Sequence, residues 1–223
     1  MADADEHVLC IPAHICAHIE DGFTPGERMG ARLNPEAARW LPRGECETDS
    51  SWQQLIPYCV LLHKGPIDFG SDWCGLFAYQ RTKQQGESRL HGKWSIGVGG
   101  HVSRDLDGGP GAQPAELSAV RVQQLVLRAA VREVHEEVEL FSQPHGLQFR
   151  GLLRDRRDPV GEVHLGVVYS VQLPEPYLAS REPSAAFGGL RPRGWFQSRI
   201  SEFENWSQIL LGDSHESPAY VGM

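Results

Sequence analysis

Residues 132–137 read Arg-Glu-Val-His-Glu-Glu, and on a helix Glu133, Glu136 and Glu137 fall three and four positions apart. Side chains at that spacing stand beside one another on one face, so three carboxylates converge. Crowded like charges need solvent, a basic neighbour, a raised pKa or a divalent cation. Arg132 can offset one charge only. Glu-rich helices are commonly solvated faces, and the run gains weight only from what precedes it. Residues 95–102, Ser-Ile-Gly-Val-Gly-Gly-His-Val, form a β-prone stretch whose tandem Gly99-Gly100 permits close backbone approach to a ligand.

A glycine-bearing strand end followed by Arg-Glu-hydrophobic-x-Glu-Glu-x-x-hydrophobic resembles the box of the Nudix hydrolases. Arg132, Glu133, Val134, Glu136, Glu137 and Leu140 match its second half. Average residue usage gives that half-match by chance in about one chain of this length per thousand. Three departures stand out. The box carries an insertion of about 18 residues between Gly100 and Arg132. Gln124 occupies the place of the first Glu, and Glu139 that of the closing glycine. Tyr79-Gln80-Arg81-Thr82-Lys83, Glu87, Arg89-Leu90-His91, Ser95-Ile96-Gly97 and Gly99-Gly100-His101 are also similar to a bacterial and phage branch of that family with a predicted-phosphoesterase description. Pro159-Val160-Gly161 and His164-Leu165-Gly166 fit the same branch.

The resemblance implies an α/β fold, the Nudix α/β/α sandwich with a mixed β-sheet between helices. It implies hydrolysis of a phosphoanhydride bond in a nucleoside diphosphate-linked compound, with Mg²⁺, or Mn²⁺ in its place, as cofactor. Glu133, Glu136, Glu137 and the Gly100 carbonyl carry over as metal ligands, with Arg132 anchoring a carboxylate by a charge-assisted hydrogen bond. The family's general base varies in position, and Glu162 is a weak candidate. A nucleotide-sensing module without turnover and a diphosphate isomerase are the alternative readings.

Arg81, Lys83, Arg89 and Lys93 against Glu87 form a positive patch in an acidic chain. Such groups could hold a diphosphate. Arg81, Arg89, Lys93 and His101 are therefore the candidate substrate-binding residues; His91 and His164 are weaker ones. Trp73, Phe77 and Trp94 could stack on a base but are more often core residues.

Those groups need a scaffold. The chain has 223 residues, 40% of them hydrophobic, with six Trp, enough for one substantial core. Residues 1–53 read as an N-terminal extension packed on the core and 54–223 as the hydrolase domain. Strands are predicted over 55–63, 73–80, 95–102, 147–153, 163–173 and 193–197, the fifth of these buried enough to be central. The 105–114 run is loop composition, after which a helix begins near Pro114. In that helix Val120, Leu127, Val131, Val134 and Val138 are predicted to face the core. Another helix is predicted from Ser201 to Leu211. The region before residue 54 yields a strand or two over 7–19 and a short helix near 35–40.

A net charge of −8 disfavours nucleic acid and anionic membranes and points to a small-molecule nucleoside diphosphate-type partner. A homodimer is compatible with the sequence. The absence of a leader pattern or a long apolar run, with five cysteines in no framework, suggests free thiols in a cytoplasmic protein. Cys10, His14, Cys16 and His18 lack zinc-site spacing.

Overall fold

The computed structural model describes residues 6–31, 33–67, 71–82, 90–108, 117–140, 145–175, 178–180 and 185–212. In chain order the strands are β1 (His7–Pro12), β2 (Gly22–Pro25), β3 (Arg39–Pro42), β4 (Trp52–Ile67), β5 (Ser71–Arg81), β6 (Trp94–Ser95), β7 (Gly97–Gly99), β8 (Val138–Leu140), β9 (His145–Arg154), β10 (His164–Leu173), β11 (Leu178–Ser180) and β12 (Ala185–Pro192). The helices are α1 (Arg43–Cys46), α2 (Arg104–Asp107), α3 (Ala119–Glu137), α4 (Pro159–Glu162), α5 (Arg193–Gln197) and α6 (Asn205–Gly212). The fold is α/β, as the sequence predicts. Two compact units are present, one of Met1–Tyr58, Gly99–Val131 and Phe149–Val168, the other of Cys59–Val98, Arg132–Gln148 and Tyr169–Met223.

In the first unit β1 pairs antiparallel with β3, His7 opposite Pro42, and with the start of β4, Cys10 opposite Gln54. On the other side of β4, the sheet continues through β10 and β9 to β2. β10 is buried almost throughout, so it runs as an unbroken apolar strand rather than an alternating one. Arg154, buried, donates to the carbonyls of Cys16 at 2.6 Å and Ile19 at 3.0 Å, tying the end of β9 to the turn that follows β1.

In the second unit β5 pairs antiparallel with β4 and β12, Leu62 facing Leu76 and Leu190 facing Phe77. Leu61, Phe77, Tyr79, Ile96, Phe196 and Phe203 fill its core. The expected strand at 193–197 is helix α5, because β12 ends at Pro192, whose fixed φ and missing donor break the ladder. Trp195 in α5 then meets Trp94 edge-on at 4.9 Å. The expected helix start at Ser201 is also displaced. Residues 200–202 form a 3-10 turn, and Glu204 caps α6 by accepting from the Trp206 N–H at 2.9 Å and the Ser207 N–H at 3.1 Å.

Helix α3 runs from the first unit into the second. Its expected beginning at Pro114 lies outside the described residues; the helix is regular from Ala119, where the Ser118 hydroxyl accepts the Arg121 N–H at 3.3 Å. No Gly or Pro interrupts it. The predicted apolar stripe holds at Val134 and Val138, which are buried, but not at Val120, Leu127 and Val131, which are exposed; Val122, Leu125, Val126, Ala129 and Ala130 are buried in their place. Two alanines, Ala129 and Ala130, fall on the buried side, where a small side chain leaves room for a close neighbour.

Candidate active site

The rotation of α3 determines where its carboxylates go. Glu133 continues the buried row Val122, Val126, Ala129 and is itself only 9% exposed. Glu136, on the other side, is exposed, and Glu137 lies between the two states. Burial pushes the Cys59 thiol of β4 well above its usual pKa, and the negative charges of Glu133 and Glu137 add to the effect. Two carboxylates one turn apart therefore act on the same buried point.

Arg132 occupies the other flank. Its Nη1 donates to Glu133 Oε1 at 2.8 Å and to Glu136 Oε2 at 3.0 Å. One guanidinium thus divides a single positive charge between two acids. The helix does not close with a glycine. The chain passes directly into β8, where Glu139 pairs opposite Ala179 of β11, so the residue replacing the closing glycine is accommodated as an exposed strand position.

The donor set can be tested against a divalent cation. Carboxylate oxygens are the hard ligands that Mg²⁺ requires, and Glu133 and Glu137, one helical turn apart, both lie close enough to act on buried Cys59. The donor chemistry fits. Assembly is incomplete, however: among the described residues no three His, Cys, Asp or Glu side chains gather as a ready metal group.

The basic candidates in the same unit have structural ties. The backbone N–H of Arg81 donates to the Lys93 carbonyl at 2.9 Å, bringing the two residues alongside one another. The Arg81 guanidinium lies over the Tyr79 ring at 5.8 Å, and Lys93 Nζ reaches the Ser201 carbonyl at 3.3 Å. Burial pushes the Tyr79 hydroxyl above its usual pKa. Arg89, Lys83 and Glu87 lie outside the described residues. Phe77 is core; Trp94 belongs to the aromatic cluster with Trp195 and Phe203.

Gly99, Gly100, His101, Glu162 and His164 belong to the first unit. A Cβ on Gly99 would stand 2.0 Å from the Pro57 carbonyl oxygen, so this glycine serves close approach of the protein's own β4. A Cβ on Gly161 would strike the Asp155 carbonyl oxygen. Asp158 caps α4 by accepting from Val160 N at 3.1 Å and Gly161 N at 2.9 Å. The Glu162 carbonyl accepts from Gln53 Nε2, while its residue is exposed.

His164 Nδ1 lies 2.7 Å from the Val160 carbonyl, which can only accept, so Nδ1 carries a proton. A neutral His164 ring then offers Nε2 as acceptor toward His101 Nε2 at 3.4 Å. Sequence reasoning treated the two histidines separately and missed this pair. The signal was the glycine at 161, whose close approach to Asp155 folds α4 so that Val160 meets His164.

No family model matches the sequence. Over 93% of this chain and 97% of the other, the fold matches the crystal structure of Tm1382, provisionally designated a Nudix hydrolase, with a TM-score of 0.69 and 23% identity. With a large mixed sheet and the Arg132–Glu137 run on its helix, the chain shares the fold of that Nudix structure. It is 32% identical over 179 residues to protein YmaB of Bacillus subtilis strain 168, covering 78% of this chain and 77% of that protein.

Proposed function

We propose that the protein is a Mg²⁺-dependent pyrophosphohydrolase acting on a nucleoside diphosphate-linked compound. The Nudix-type fold and the Arg132–Glu137 run that resembles the Nudix box support a hydrolase of pyrophosphate linkages. The observation that carries the finer reading is the half-shared Arg132 beside a buried Glu133, with Glu137 acting on the same point as Glu133.

In this reading Glu133, Glu136 and Glu137 hold the metal. The chemistry it supplies when bound is neutralisation of phosphate charge and acidification of a coordinated water. Glu133 is positioned from the buried side, where neighbouring side chains limit its rotamers. Glu136 is half exposed and can rotate off Arg132 to join it. Arg132 keeps Glu133 oriented. One of the three carboxylates accepts the proton of the attacking water. Arg81 and Lys93, neighbours across a backbone hydrogen bond, supply positive charge to the diphosphate.

The test is a hydrolysis screen of nucleotide-sugars, dinucleoside polyphosphates, nucleotide coenzymes and nucleoside triphosphates with Mg²⁺, with Mn²⁺ and with chelator. Products containing phosphate or a nucleoside monophosphate are expected only with metal. Tight binding of one of these compounds with no turnover under either metal would overturn the reading in favour of a sensing module.

A further inference from the structure

Two cysteines far apart in sequence meet in the first unit. Cys10 Sγ lies 3.2 Å from Cys46 Sγ, and both residues are buried. Their approach is built in. The β1–β3 register sets His7 opposite Pro42 and Cys10 opposite Arg39, and α1 begins immediately after Pro42. One turn of helix then carries Cys46 back over Cys10. Arg43 fixes that turn by donating to Glu6 Oε2 at 2.8 Å and Glu47 Oε1 at 2.9 Å, while its backbone N–H donates to the Glu6 carbonyl. Val8, Leu41 and Trp52 enclose the two sulfurs.

We infer that Cys10 and Cys46 are a redox-active dithiol that a peroxide closes to an intramolecular disulfide. Thiols this near need only side-chain rotation to reach bonding distance, since β1 and α1 already hold the backbone. The Cys10 S–H donates to Cys46, and that bond draws the Cys46 pKa below the usual thiol value against the opposing effects of burial and of Glu45 and Asp49. The same bond and burial push Cys10 upward. With the Cys10 S–H directed at it, the Cys46 sulfur is the one left to meet the peroxide, and Cys10 is the resolving thiol.

The steps balance. The Cys46 thiolate attacks one peroxide oxygen, the O–O bond breaks, and hydroxide leaves, giving a sulfenic acid. Cys10 sulfur then attacks Cys46 sulfur, the S–O bond breaks, and the Cys10 proton departs with the hydroxyl as water. Two thiols lose two electrons to hydrogen peroxide, forming one disulfide and two waters. Cys16 and Cys59 are also buried free thiols and provide internal controls.

The experiment treats the reduced full-length protein with hydrogen peroxide under native conditions, traps remaining thiols with N-ethylmaleimide, and maps non-reduced peptides by mass spectrometry. A cross-linked peptide joining Cys10 to Cys46, two hydrogen masses lighter than its parts, is expected, with Cys16 and Cys59 still alkylatable once the protein is unfolded. The oxidised protein should melt several degrees higher and return on reduction, as closure of a loop of this size constrains the unfolded chain. Cys16→Ser should cross-link at the wild-type rate, and Cys10→Ser should stop at a Cys46 sulfenic or sulfinic acid. Absence of the Cys10–Cys46 peptide while methionines oxidise would overturn the inference. So would its appearance only in denaturant. The wild-type map decides the matter even if a cysteine variant folds poorly.

Discussion

Arg132 Nη1 lies 2.8 Å from Glu133 Oε1, although the two are sequence neighbours whose side chains leave a helix about 100° apart. The contact forms because Glu133 sits at the edge of the buried face and Arg132 bends back over it, taking Glu136 as well at 3.0 Å. Removing the guanidinium takes a charge-assisted hydrogen bond from a largely buried carboxylate. Arg132→Ala is expected to lower stability by about 2 kcal/mol, below the value for a fully buried pair because Arg132 is partly exposed. Urea unfolding of the two proteins checks this, with Glu136→Ala as the comparison that removes the exposed partner and costs much less.

The three box glutamates should differ in what they do to fold and turnover. Glu136→Gln is expected to remove most metal-dependent hydrolysis while leaving the unfolding midpoint near wild type, since its carboxylate is exposed and its pairing weak. Glu133→Gln should reduce both hydrolysis and Mn²⁺ binding measured by paramagnetic relaxation. Glu139→Gln should change neither. Turnover retained by Glu136→Gln would count heavily against its role as a ligand.

Much of this site was legible because motif and helix coincide. Arg132, Glu133, Glu136 and Glu137 occupy uninterrupted helix, and β10 reads as a central strand from its apolar run. What the pattern hid was the helix's rotation. Val120, Leu127 and Val131 satisfy helical spacing as well as the true buried row does, but the alanines at 129 and 130 permit the closer approach. Branched residues outweigh alanine in a hydrophobicity count, whereas packing depends on how near two elements can come. Similarly, residues 193–197 read as a strand, and a proline at the preceding position turned them into helix α5. The Cys10–Cys46 and His101–His164 contacts depend on strand register and turn geometry, which spacing along one chain does not carry.

Two glycines are held by backbone contacts and not by unusual torsion. Gly99→Ala would place Cβ 2.0 Å from the Pro57 carbonyl oxygen, and Gly161→Ala would do worse against Asp155. Neither neighbour is a flexible side-chain end, so β7 must move off β4 in the first case and α4 off the Asp155 backbone in the second. Each substitution is expected to cost about 3 kcal/mol. Gly44→Ala, where nothing lies within 4 Å of the added carbon, is the control and should leave the melting temperature almost unchanged.

Cys16 gives the fold an alkaline limit. Burial pushes its thiol up to about 11 from the ordinary 9.0, with the nearby Arg154 charge pulling modestly the other way. The folded pKa is raised, so between those values the unfolded chain holds fewer protons than the folded one, and unfolding releases a proton. The thiol's contribution is therefore complete below pH 9 and is lost as pH rises toward 11. Two pH units correspond to about 3 kcal/mol at most. Cys16→Ala removes a buried sulfur and should be less stable than wild type at pH 8. The gap should narrow by pH 11, because the variant has no thiolate to expel from the interior. Buried Tyr79 and Tyr169, both pushed upward, titrate in both proteins and cancel in the comparison. Denaturant unfolding at half-unit intervals from pH 8 to pH 11 measures the gap directly, and a gap independent of pH would show that Cys16 does not ionise on unfolding in this range.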